Sequence, residues 1–144
     1  MKSIRMIVIA VLIFLSSSAW VGSAKLISDP NGNPWGVMPQ SLLQHSPFHS
    51  YLIPGIVLLA ANGLLALWVL YLTITRGPHL GIWIAFQGFI LLGWLMVECL
   101  MVRMVIWPHY LYGGVALTLI LFGFLLWRRP DDGRAGTPHF ISAR

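Results

Sequence analysis

The sequence predicts an all-α fold, a polytopic transmembrane four-helix bundle with an extracytoplasmic loop. Composition is the first reason: the 144 residues are 58% hydrophobic and 9% charged, with mean hydropathy +0.80, whereas a soluble domain carries about a quarter charged residues. The second is segment length. Apolar runs cover about 6–24, 51–75, 82–106 and 111–127, each near or above the ~18 residues that mark a spanning helix. The third is punctuation: one polar loop, 25–50, two short connections and a polar tail, 128–144, separate or follow the runs within a single membrane domain.

The first run follows Lys2 and Arg5 and closes on Gly22, Ser23 and Ala24. A short apolar core before small residues fits a cleavable signal peptide, but Met6 to Ala24 is also long enough to span. A retained helix is the favoured reading, and either way residues 25–50 reach the far side. That loop begins with a dense cluster of turn formers, Asp29 to Gly36, which predicts neither a long helix nor a central strand. Gln40 to His45 then predicts a short amphipathic turn before Pro47. Asp29, Asn31 and Asn33 have the spacing of half a calcium loop, but Pro34 and Gln40 stand where Gly and Glu are needed, so Asx turns are expected instead.

In the second run Pro54 falls in the first turn, where its missing N–H does least harm. Gly55, Leu59, Asn62, Ala66, Val69 and Thr73 recur at helical spacing, which predicts a small and polar face turned inward. Arg76 to Gly81 reads as one tight connection and Trp107-Pro108-His109-Tyr110 as another. Short connections make helices two, three and four antiparallel neighbours, with the third as the expected centre of the bundle. The tail is Pro/Gly-punctuated and expected to be disordered.

Of nine Lys and Arg residues, seven fall on one side of four spans, and only Lys25 and Arg103 fall on the other. The positive-inside rule then places both termini in the cytoplasm. That asymmetry accounts for the net charge of +5 without a nucleic-acid partner, since no basic-aromatic surface is present. Trp20, Trp83, Trp107, Trp127, Tyr51, Tyr110 and Tyr112 lie near span ends, as an aromatic belt does. The single cysteine, Cys99, excludes an intramolecular disulfide and a paired-thiol oxidoreductase.

Glu98 is the only acid inside a long apolar run, and a charge at membrane depth costs ~2.5 to 3.5 kcal/mol on insertion scales. With spans as drawn, Glu98 lies roughly 12 Å, Asn62 roughly 16 Å and Thr118 roughly 10 Å below the outer ends of their helices. Gln87, Leu91, Trp94 and Glu98 share one stripe. Glu98, Asn62, Thr118 and Gln87 therefore form a candidate ligand or proton site, the competing reading being a hydrogen-bonded Glu98 that sets helix register through Asn62. His45, His49, His109 and Arg103 form a candidate outer vestibule. Arg103 is five residues past Glu98, about 140° round the helix, so it is expected to snorkel to the interface. His45 and His49 have a metal-compatible spacing, but Pro47 lies between them and no third ligand is evident, so no metal is expected. No nucleophile-base arrangement, phosphate loop or zinc-protease motif occurs, so neither a catalytic residue nor a cofactor is expected.

Around His45-Ser46-Pro47-Phe48-His49-Ser50-Tyr51-Leu52-Ile53-Pro54-Gly55, with Asn62-Gly63, Trp83-Ile84 and Gln87, the chain resembles a group of small bacterial four-helix membrane proteins with no assigned function. The resemblance covers roughly residues 30–95. It implies four spans and a bacterial source, hence the cytoplasmic (inner) membrane, and no activity. Glu98 lies outside the matching blocks.

The functional expectation is a non-enzymatic accessory or scaffold protein whose partners are the lipid bilayer and a membrane-protein partner or second copy. The alternative is a small-molecule or proton-coupled transport or binding protein with Glu98 and Asn62 lining a cavity. A weaker third is a lipid-modifying enzyme using Glu98 and His109. An open pocket reaching Glu98 favours the second reading; a sealed core with Glu98 bonded to Asn62 or Thr118 favours the first.

Overall fold

Among the described residues four helices, α1 (Lys2–Ser28), α2 (Leu52–Thr75), α3 (Leu80–Val102) and α4 (Trp107–Trp127), are long and apolar enough to cross a bilayer. The chain is an all-α, multi-pass membrane protein. The computed structural model describes residues 2–32, 40–44, 46–103 and 105–128. The expectations for the tail, for His45 and for most of the turn-former cluster lie outside those residues.

α1 runs 27 residues without proline, roughly 40 Å at 1.5 Å per residue, which exceeds the ~30 Å hydrocarbon core. Its last turn, Lys25 to Ser28, lies at the end of the bundle that carries the 29–51 segment, the loop end, where Leu26 and Ile27 pack against Gly55 in the first turns of α2. Val8, Leu12, Leu15, Ser16, Ala19 and Ser23 are its buried face. The helix therefore contributes core packing along most of its length.

The helices pack as two hairpins, α1 with α2 and α3 with α4, joined by looser α2–α3 and α1–α4 contacts. The expected centrality of the third helix is corrected by this ring: α3 touches α2 and α4, and α1 touches the same two. The α3–α4 seam is close because small residues face each other. A Cβ on Gly81 would lie 2.7 Å from the Gly123 carbonyl oxygen, and one on Gly88 would lie 2.8 Å from that of Ala116. Backbone thus meets backbone, the usual source of helix association in lipid. In the half of the bundle away from the loop, Leu12, Val69, Ile84, Ala116 and Leu119 are wholly buried and seal the centre.

The second connection differs from its expectation. α3 stops at Val102, where Arg103 takes a left-handed conformation (φ 51°) and its N–H bonds to the Cys99 carbonyl. Trp107-Pro108-His109-Tyr110 is the first turn of α4, and the connection is 103–106. Pro108 starts that helix because an N–H is unneeded in the first turn, and the His109 side chain caps it through the Ile106 N–H, 3.2 Å from Nδ1.

α2 is also less regular than its periodicity predicts, since Leu59–Leu64 forms a π turn. Pairing shifts to five residues back there, with the Leu65 N–H bonded to the Ala60 carbonyl. When α pairing resumes, the register passes over one carbonyl, and a neighbouring helix must supply its donor. Gln87 does so: its Nε2 donates to the Ala61 carbonyl at 3.2 Å. From the other side the Ser16 hydroxyl donates to the Gly63 carbonyl at 3.2 Å.

At the loop end a second small core joins Leu43, from the turn Gln40–Leu43, to Tyr51 and Met101, with Leu26 and Phe48 against them. The Tyr51 N–H donates to the Pro30 carbonyl at 2.8 Å, which ties the start of α2 to the end of α1. Tyr51 is therefore buried, whereas Trp107, Tyr110 and Trp127 are exposed as belt residues are.

Candidate functional site

The shortened α3 moves Glu98 nearer the surface. It lies four residues before Val102, roughly 6 Å below the helix end at 1.5 Å per residue. Asn62 lies roughly 15 Å inside α2 and Thr118 roughly 16 Å inside α4 by the same rise. The matched depths expected from sequence are thus corrected: Glu98 sits near the mouth and the other two sit deeper.

Glu98 borders a cavity of about 460 Å³ at the loop end, enclosed by all four helices. Leu15, Asn62 and Leu91 form its deep wall, and Leu95, Trp94, Glu98 and Tyr112 its α3–α4 side. Lys25, Ser28, Asp29 and Tyr51 rim the mouth, supplied by the end of α1 and the start of α2. Burial pushes the Tyr51 hydroxyl above its ordinary pKa, which keeps it neutral across the physiological range. The walls are mostly apolar, and the space exists because the hairpins meet loosely while each is tightly packed internally.

Glu98 and Trp94, one turn apart on α3, both line the cavity. Glu98 is half-buried. His109 is 8% exposed, stands outside the cavity lining, and has an Nε2 with no partner among the described residues.

Of the four residues expected to cluster, Gln87 and Asn62 meet directly, Gln87 Nε2 donating to Asn62 Oδ1 at 3.3 Å. The Ala61 carbonyl can only accept, so it fixes which end of the Gln87 amide points at α2. That in turn presents Asn62 with a donor and assigns Oδ1 to it, leaving Asn62 Nδ2 without a partner among the described residues at 0% exposure. Asn62 and Glu98 share the cavity wall without bonding each other. Thr118 is not part of this arrangement: its hydroxyl bonds the Gly114 carbonyl of its own helix at 2.8 Å.

The expected vestibule is not assembled from the described residues. Arg103 and His49 are exposed and neither lines the cavity. The rim residues Lys25, Ser28 and Asp29, and the wall residue Tyr112, were not singled out from sequence as site residues. The usable signal was a lysine one turn before the end of a helix too long for the bilayer. No group of three or more His, Cys, Asp or Glu side chains placed to hold a metal occurs among the described residues.

Comparison with protein families, with curated proteins and with solved structures finds no match.

Proposed function

We propose that the protein is a non-enzymatic binding protein of the bacterial cytoplasmic membrane, with both termini in the cytoplasm, which holds a small and largely apolar molecule in the loop-end cavity. One observation carries this reading: an open, mostly apolar cavity reaches Glu98 and ends on Asn62. A sealed core with Glu98 bonded to Asn62 or Thr118 would have supported a register role, and neither bond is present. Binding is preferred to transport because the opposite half is closed by wholly buried Leu12, Val69, Ile84 and Leu119. A cavity lined by apolar groups with a few convergent polar ones is the usual form of a small-molecule site.

The accessory or scaffold reading stands second. It rests on a lipid-facing groove of α3 and α4 over Gly81, Ala85 and Gly123, walled by Phe86, Phe89, Phe124 and Trp127, a surface on which another transmembrane helix can pack.

The test is mass spectrometry of small molecules that co-purify with the protein in mild detergent. Ser18 lines the cavity and is half-buried, so Ser18→Trp fills the space with little disturbance elsewhere. The wild type should retain a molecule near one per chain that Ser18→Trp loses. Identical small-molecule content in the two proteins overturns the reading.

A further inference from the structure

We infer that the molecule held in the Glu98 cavity is a lipophilic organic cation, an alkyl- or aryl-ammonium or a comparable onium ion, a claim that rests on the cavity being a binding site. Charge is the first argument. Glu98 is the only acid within the four spanning segments. Among the residues that line the cavity the one cation is Lys25, at the rim, so the cavity side of the carboxylate is left to a ligand. At the rim, Lys25 and Asp29 carry opposite charges, so the single carboxylate at the next level down sets the sign of the site.

The aromatic side chains supply the second argument. Tyr51, Trp94 and Tyr112 line the same cavity as Glu98. Tyr51 and Tyr112 belong by sequence position to the interfacial belt; here Tyr51 is buried, and Tyr112 is half-buried with one face stacked on Phe14 at 5.9 Å. Ring faces attract cations, and indole does so most strongly. An acid that shares an apolar cavity with aromatic rings is therefore matched to a weakly hydrated organic cation. An anion would meet Glu98 directly, and a strongly hydrated inorganic cation would lose its water to walls that are largely hydrocarbon.

Depth orders the ligand. Glu98 is near the mouth, while Leu15, Leu91 and Leu95 line the interior. The charged head is placed at Glu98, with the apolar body directed inward.

Two near-isosteric ions of opposite sign test the inference: tetraphenylphosphonium and tetraphenylborate, measured by equilibrium dialysis against the full chain in phosphatidylcholine nanodiscs, with empty discs subtracted. The phosphonium should bind saturably and at least tenfold more tightly than the borate. Glu98→Gln should weaken it at least tenfold, Glu98→Asp should retain most of the affinity, and Trp94→Leu should cost severalfold. Equal binding of the two ions, phosphonium binding unchanged in Glu98→Gln, or no phosphonium binding overturns the inference. The cavity reading fails separately, when small-molecule content is indifferent to Ser18→Trp. A Ser18→Trp-sensitive neutral or anionic occupant therefore overturns the cation while leaving the cavity in place.

Discussion

The α3–α4 and α1–α2 hairpins both have close glycine contact, Gly55 of α2 lying against Leu26 and Ile27 of α1, but they differ in the polar bonds that α2 adds. Along α3–α4, Gly81, Gly88, Ala116 and Gly123 bring backbone onto backbone, and Gly123 is buried against Ala85. Along α2, the π turn shifts the backbone register, and side chains from both neighbours answer its carbonyls: Ser16 from α1 and Gln87 from α3. Glycine contact leaves no space between helices. The Gln87 bond crosses the looser α2–α3 contact between the hairpins, and the cavity lies beside it, ending on Asn62.

The sharpest way to break that contrast is at Gly123. A Cβ there would lie 2.7 Å from the Gly81 carbonyl oxygen, and backbone cannot swing aside as a side chain does. Gly123→Leu should therefore destabilise the bundle by about 3 kcal/mol, at the upper end of overpacking costs, read by steric trapping or by unfolding in mixed micelles. Gly113 has nothing within 4 Å of its would-be Cβ, so Gly113→Leu should be tolerated to within about 0.5 kcal/mol, as exposed substitutions usually are. Equal costs at the two glycines would show that the seam is not where α4 is held.

How much of this was legible beforehand follows the physics of each feature. The four spans were legible because twenty apolar residues have few other uses. The inward faces of α2 and α3 were legible because Asn62, Ala66, Val69 and Thr73, and Gln87 and Leu91, recur at helical spacing and are all buried. The end of α3 was misplaced because Trp107-Pro108 reads equally as a turn or as the start of a helix; deciding between them needs the His109 cap, which is a geometric fact. That error of four residues also misplaced the depth of Glu98. The π turn was illegible for a different reason. Leu59 to Leu64 has the same composition in either helix type, and the shifted register depends on donors that Ser16 and Gln87 bring from elsewhere in the chain. The cavity rim was missed because Lys25, Ser28 and Asp29 matter through the continuation of α1 to Ser28, past the apolar run that ends at Ala24.

A smaller effect is expected where the polar arrangement is cut. Gln87→Leu has similar volume but removes the donors to both the Ala61 carbonyl and Asn62 Oδ1. Two buried acceptors then go unanswered, which should cost about 2 kcal/mol, within the range for unsatisfied buried groups. Hydrogen bonds between helices in membranes are worth less than expected, averaging about 0.6 kcal/mol, so a value near that figure would mean that α2 relaxes back to regular pairing. Hydrogen exchange at the Leu65 amide, which now bonds the Ala60 carbonyl, would detect that relaxation directly.

The smallest effect separates polarity from participation. Thr118 has the residue type and the approximate depth of a cluster member, but its hydroxyl bonds the Gly114 carbonyl one turn back on its own helix. Such a bond satisfies the hydroxyl locally and links α4 to nothing. Thr118→Val keeps the branched shape and removes the oxygen, so stability should change by less than about 0.5 kcal/mol, the range for substitutions away from packed or networked sites. Small-molecule retention should stay at the wild-type level because Thr118 does not line the cavity. A loss of retention in Thr118→Val comparable to that in Ser18→Trp would place the functional polar group on α4. In that case the division between a closed α3–α4 seam and a loose, polar junction of the two hairpins would no longer account for where the site lies.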